Sequence, residues 1–154
     1  MTKRVFLFVC TGNTCRSPLA EGLLKHALCD RTDIVVKSAG VAAGNAQPAN
    51  PQTLSVLKEV GVDLSSHRSQ SVNNQLLANA EWIVAMTNDH LDILLSMFPE
   101  VADRTKLLCD FIPGQEGQDV PDPIGMGRDA YLQTRDVIVE AIPGILAQIV
   151  QPNA

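Results

Sequence analysis

The sequence predicts an α/β domain whose parallel sheet is covered by helices on both faces. Two observations carry this. Short runs of β-branched and aromatic residues alternate with stretches whose apolar residues recur at helical spacing. The chain's 154 residues suit one domain, residues 1–154, rather than two. Val5 to Val9 is uninterrupted and apolar, as expected of a central strand buried on both faces. Ser17-Pro18 reads as a helix cap followed by proline at the first helical position, and Leu19, Leu23, Leu24, Ala27 and Leu28 form one apolar face. Ile34 to Lys37 is a second strand ending at Ser38-Ala39-Gly40. Asn50-Pro51 opens a helix carrying Leu54, Leu57 and Val60, stopped by Gly61.

Val72 to Ala80 reads as a short helix and Trp82 to Met86 as a third strand. Thr87 caps a helix with Leu91, Leu94, Leu95 and Phe98 on one side, ended by Pro99. Lys106 to Ile112 is the fourth strand. Residues 113–127, with four glycines and three prolines, form a long loop, and the last helix runs from Arg128 to Val150. Pro143-Gly144 predicts a kink or break within it. Right-handed crossovers place the turn at residues 10–16 and the loop at 113–127 on one rim, beyond the carboxyl ends of the strands.

Twelve Lys and Arg against seventeen Asp and Glu give a net charge of −5, so no overall positive field draws the chain to nucleic acid or a membrane surface. Lys3-Arg4 followed by Val5 to Cys10 imitates a secretory signal, but the apolar stretch is too short; the expected location is cytoplasmic. Cys10, Cys15, Cys29 and Cys109 do not have zinc-knuckle spacing, and His26, His67 and His90 are scattered, so no metal site is expected. Cys29 and Cys109 read as plain core residues.

The most informative stretch is Cys10-Thr11-Gly12-Asn13-Thr14-Cys15-Arg16-Ser17, set between a buried strand and a helix N-terminus. Successive backbone N–H groups of so tight a loop converge on one tetrahedral anion, and the helix terminus adds partial positive charge. Arg16 has the planar fork that grips two phosphoryl oxygens. The same field favours Cys10 as a nucleophilic thiolate, and Ser17 is placed to donate a hydrogen bond to it. Nothing matches the G-x4-G-K-[ST] pattern of nucleotide-binding loops. A thiolate that attacks phosphorus needs an acid for the leaving group, and Asp122, stiffened between Pro121 and Pro123, is the best candidate. Cys15 closes the loop near Cys10. It reads either as a redox partner forming a reversible disulfide or as a small hydrophobe facing the core.

Residues 8–21, together with Ser38-Ala39-Gly40 and Asp122-Pro123, resemble the low-molecular-weight protein tyrosine phosphatases along essentially the whole chain. The resemblance implies a four-stranded sheet of order 2-1-3-4. It also implies Cys10 as nucleophile, Arg16 as phosphate clamp, Ser17 as thiolate partner and Asp122 as general acid, working on a phosphorylated protein through a phosphocysteine without metal or organic cofactor. Asn13, Ser38 and His67 fall where that family keeps the network that shapes the phosphate loop. His67 reads equally well from sequence as an exposed turn residue after Ser65-Ser66.

Two features depart from the phosphotyrosine-specific pattern. Thr14 stands where an aliphatic residue is usual, and Ile124-Gly125 follows Asp122-Pro123 where aromatics are usual. Both resemble the bacterial protein-arginine phosphatases of the same family. A threonine hydroxyl tolerates a guanidinium better than an isoleucine methyl, because burying an unpaired N–H is costly. Phosphoarginine is therefore the favoured substrate and phosphotyrosine the alternative. The remote alternative is arsenate reduction in the same loop. It needs further cysteines to carry a disulfide outward, and Trp82 and Asp89 occupy the region where the family's reductases carry theirs.

Overall fold

The computed structural model describes residues 3–29 and 31–150. Strand β1 (Arg4–Cys10) is followed by α1 (Arg16–Leu28), β2 (Ile34–Gly40), α2 (Pro51–Lys58), α3 (Asn74–Asn79), β3 (Trp82–Ala85), α4 (Asn88–Met97), β4 (Thr105–Leu107) and α5 (Arg128–Val150). The sheet is parallel throughout, in the order β2-β1-β3-β4. β1 is central because its pleat is apolar on both sides. Phe6, Phe8 and Cys10 enter one core with α1, α2 and α5, while Leu7 and Val9 enter another with Leu77, Leu94 and Val101.

Several boundaries differ from expectation for local reasons. The fourth strand stops at Leu107, and residues Leu108–Phe111 coil into a 3-10 helix. Asp110 causes this, since its carboxylate accepts the N–H groups of Leu107 (3.0 Å) and Gly117 (2.9 Å) and folds the chain back. Ser17 does not cap α1; the helix begins at Arg16 with Cys15 at the cap position and no side-chain cap. The Ser17 hydroxyl is used elsewhere, as described below. The helix expected over residues 72–80 is confined to Asn74–Asn79, where the Asn73 side chain accepts the N–H of Leu76. α2 ends at Lys58, so Val60 lies beyond it and is exposed.

Pro143 does not break α5, which runs on to Val150. Its ring faces solvent, on the side of the helix where a carbonyl without its helical partner is least costly. Gly144 has a separate role: a Cβ there would lie 2.4 Å from the Phe111 carbonyl oxygen, so glycine lets α5 seat on the 3-10 helix. Cys109 is buried as expected, whereas Cys29 is exposed. The chain turns there through a left-handed φ of 52° just past the end of α1, which carries the side chain out of the core. Among the described residues no helix is long and apolar enough to cross a membrane, and no His, Cys, Asp and Glu cluster suits a metal ion.

Candidate active site

The β1–α1 turn winds tightly because its carbonyls are pulled outward. Those of Cys10, Thr11 and Thr14 accept the N–H groups of Val41 (2.9 Å), Ala42 (2.9 Å) and Asn50 (2.8 Å), and that of Asn13 accepts from His67 Nε2 (2.8 Å). Among the described residues, no protein acceptor takes the N–H groups of Gly12 to Arg16. With the uncapped start of α1, they form a cradle for a tetrahedral anion. Asn13 pays for the curvature with a left-handed φ of 57° while fully buried. Gly40, paired with Cys10 across the sheet, allows the turn to sit close, since a Cβ there would meet the Thr11 carbonyl oxygen.

The direction of each hydrogen bond around Cys10 follows from one fixed donor. The Gln70 N–H donates to Asn13 Oδ1 (3.0 Å), which turns the amide nitrogen of Asn13 toward Ser17 Oγ (2.8 Å). Ser17 accepts there, so its own hydrogen points at Cys10 Sγ, 2.9 Å away. Cys10, Asn13 and Ser17 are all almost completely buried. Behind them His67, 8% exposed, holds the Asn13 carbonyl, with its Nδ1 3.9 Å from Glu21 Oε1. Ser38 donates to the same Glu21 oxygen (2.5 Å). His67 is thus a buried part of the network and not an exposed turn residue. Ser38 reaches the loop indirectly, through Glu21 and His67 on one side and through Gln70, whose Nε2 donates to the Ser38 carbonyl (3.1 Å), on the other.

Arg16 is buried between two anchors. Nη1 donates to the Val120 carbonyl (3.0 Å), and Nη2 lies 3.5 Å from Asp122 Oδ2. Val120 is itself fixed because its N–H donates to the Met86 carbonyl at the end of β3 (2.8 Å), which brings the long loop back to the rim. Asp122 is half-exposed, and its Oδ1 accepts the N–H of Ile124 (3.1 Å). One cavity of about 240 Å³ is lined by Cys10, Thr11, Gly12, Thr14, Cys15, Arg16, Asp122 and Ile124. The candidate nucleophile, candidate clamp, candidate acid and both residues expected to set specificity therefore line one space.

Cys15 is buried, with Sγ 3.5 Å from the hydroxyl of Tyr131, itself 1% exposed. Burial pushes the Cys15 thiol upward, and burial together with Cys15 does the same to Tyr131. Cys15 joins the core, as its reading as a small hydrophobe expects, and also lines the cavity that holds Cys10. Three participants were not assigned from sequence. Glu21 stands out as an acid on the buried face of α1, a signal that was available. Gln70 acts through its backbone, and His90, which meets Thr11 at 2.7 Å, lies 79 positions away; neither has a sequence signature.

A family model described as "Low molecular weight phosphotyrosine protein phosphatase" matches residues 5–153. The chain is 41% identical to a protein-arginine-phosphatase of Geobacillus stearothermophilus over 84% of this chain and 85% of that one. It is 40% identical to an arsenate reductase of Staphylococcus aureus over 92% of this chain and 95% of that one. Among solved structures it resembles a YwlE arginine phosphatase mutant with a phosphorylated active-site serine. The TM-score is 0.87 at 36% identity, with 97% of each chain covered.

Proposed function

Because the chain belongs to the low molecular weight phosphotyrosine protein phosphatase family, we propose that Cys10, Arg16 and Asp122 carry its chemistry on phosphorylated protein side chains, with phosphoarginine preferred. The observation that supports this most directly is the relay Gln70 to Asn13 to Ser17 to Cys10, set opposite the Arg16–Asp122 pair across one cavity.

The Cys10 thiolate attacks phosphorus in line, with the Ser17 hydroxyl stabilising the sulfur before attack and again when it leaves. Arg16 and the N–H groups of Gly12 to Arg16 hold the equatorial oxygens, most strongly as charge builds in the transition state. Asp122 delivers a proton to the departing nitrogen or oxygen, giving a phosphocysteine and a free side chain. Its carboxylate then takes a proton from water, which attacks the phosphocysteine and releases inorganic phosphate.

The preference for phosphoarginine rests on Thr14 and Ile124. Both line the cavity, Thr14 offering a hydroxyl where the guanidinium passes and Ile124 offering no ring to stack on a phenol. The protein-arginine-phosphatase relative supports the same reading. Rates on matched phosphoarginine and phosphotyrosine peptides test it, and the reading fails if phosphotyrosine is turned over more efficiently. Cys10→Ser and Arg16→Ala should each abolish turnover of both peptides.

The arsenate reductase relative favours a second reading, since arsenate fits the same cradle. Cys15 shares the cavity with Cys10, but the segment from Met86 to Phe98 contains no cysteine, Cys109 is buried, and Cys29 is exposed beyond the end of α1, so none of these positions offers a third cysteine to carry a disulfide outward. Arsenate-dependent oxidation of thioredoxin would establish that activity, and its absence would remove it.

A further inference from the structure

His90 takes no part in the chemistry above, yet it touches the residue that follows the nucleophile. Its Nε2 lies 2.7 Å from Thr11 Oγ1, and the ring is 3% exposed. Its Nδ1 is buried with no hydrogen-bond partner among the described residues. The two neutral tautomers are therefore unequal. A proton on Nδ1 would orphan a buried N–H, whereas a proton on Nε2 leaves only a lone pair unmatched, the lesser penalty.

The doubly protonated ring is disfavoured by its surroundings. Burial and the Arg16 guanidinium oppose a second positive charge, as does the N-terminal first turn of α4, in which His90 lies. Asp122, Asp89 and Asp119 act in the opposite sense without overcoming this, and the imidazole is held down at about 4. The same helix turn also grips the acid loop, since the Asn88 N–H and Nδ2 donate to Asp119 Oδ1 at 2.8 and 2.9 Å. The start of α4 thus braces both catalytic loops at once.

Taking the phosphatase reading as its basis, we propose that His90 is a positioning residue whose Nε2–H donates to Thr11 Oγ1, leaving the Thr11 hydroxyl hydrogen to reach an acceptor oxygen of the bound substrate. Thr11 is exposed and lines both the 240 Å³ cavity and a second one of about 530 Å³ that shares Arg16 and Asp122 with it. The acceptor is then either a phosphoryl oxygen or a carbonyl of the flanking peptide.

The test compares Thr11→Val, His90→Leu, His90→Gln and the Thr11→Val/His90→Leu double variant, using phosphopeptide and para-nitrophenyl phosphate. Thr11→Val and His90→Leu should each lower kcat/KM by about 3- to 10-fold, the range of one neutral hydrogen bond. The double variant should be no worse than Thr11→Val alone, and His90→Gln, whose amide donates, should recover most of the loss. Equal losses on both substrates identify a phosphoryl oxygen; a loss confined to the phosphopeptide identifies the peptide carbonyl. Additive losses, or His90→Gln as impaired as His90→Leu, overturn the proposal. A second measurement needs no turnover. The imidazole 15N spectrum, assigned with His90→Gln, should show His90 protonated only on Nε2 and not titrating between about pH 5 and 8. An Nδ1–H tautomer overturns the proposal even in an active enzyme. If wild type hydrolyses neither peptide, the phosphatase reading fails while the tautomer assignment is still decided by the spectrum.

Discussion

Asp122 and Arg16 form an ion pair of unequal partners, Oδ2 to Nη2 at 3.5 Å, with the guanidinium buried and the carboxylate half-exposed. The arginine is fixed by the Val120 carbonyl, while the aspartate sits on a loop that also carries Ile124. The proposed roles follow this asymmetry, a rigid clamp in Arg16 and, in Asp122, an acid free to meet leaving groups of different shape.

Asp122→Asn should reduce kcat more than it raises KM, with the deficit shrinking as the leaving group improves. A series of aryl phosphates of graded leaving-group acidity checks this. A constant deficit across the series would show that Asp122 does not supply the proton.

Thr14→Ile should lower kcat/KM for a phosphoarginine peptide about tenfold or more while sparing or raising that for phosphotyrosine. The basis is the loss of a polar partner to a buried N–H, on the order of 1–3 kcal/mol. Both efficiencies are measured for wild type and variant; an unchanged ratio would remove Thr14 as the source of preference.

Mild peroxide should convert the Cys10 thiolate to a sulfenic acid, which the Cys15 thiol then condenses with, expelling water and leaving a Cys10–Cys15 disulfide. Cys15 shares the cavity with Cys10 and is held as a thiol by burial. Mass spectrometry of the oxidised protein, before and after reduction, reads the outcome. Accumulation of Cys10 sulfinic acid with no disulfide would exclude this protection.

Stability should decline as pH falls from 6.5 toward about 4 because of His90. Over that window the unfolded chain takes up a proton that the folded imidazole refuses, so unfolding is favoured by at most about 1.4 kcal/mol per pH unit. Above 6.5 the group is neutral in both states and contributes no slope. Urea midpoints across the window should drop in wild type and flatten in His90→Gln.

The sequence made the centre of this protein legible because the signals there are local. A continuous apolar strand, a turn of small and polar residues and a helix start occupy consecutive positions, so β1, the phosphate loop and α1 could be read together. Asp122 was readable because prolines flank it. What escaped depends on contacts between distant positions: the His90–Thr11 bond spans 79 residues, and the residues alone left His67 open because its bond to Asn13 spans 54. The fourth strand was read too long because the apolar run 107–109 is the same whether or not Asp110 folds back to bond the Leu107 N–H. Cys29 was placed inside by its residue type, whereas a left-handed turn puts it outside.

The shape of the β1–α1 turn has a consequence for a chain growing from its N-terminus. Cys10 to Ser17 emerge early, but the groups that bend them arrive later: Val41 and Ala42, then His67 and Gln70, and finally Val120 to seat Arg16. A fragment ending before Gln70 carries Cys10 without the relay that orients Ser17 toward it. The anchor that seats Arg16 thus comes from a residue made long after the turn itself, and the proposed cradle is completed only by contacts of high sequence separation.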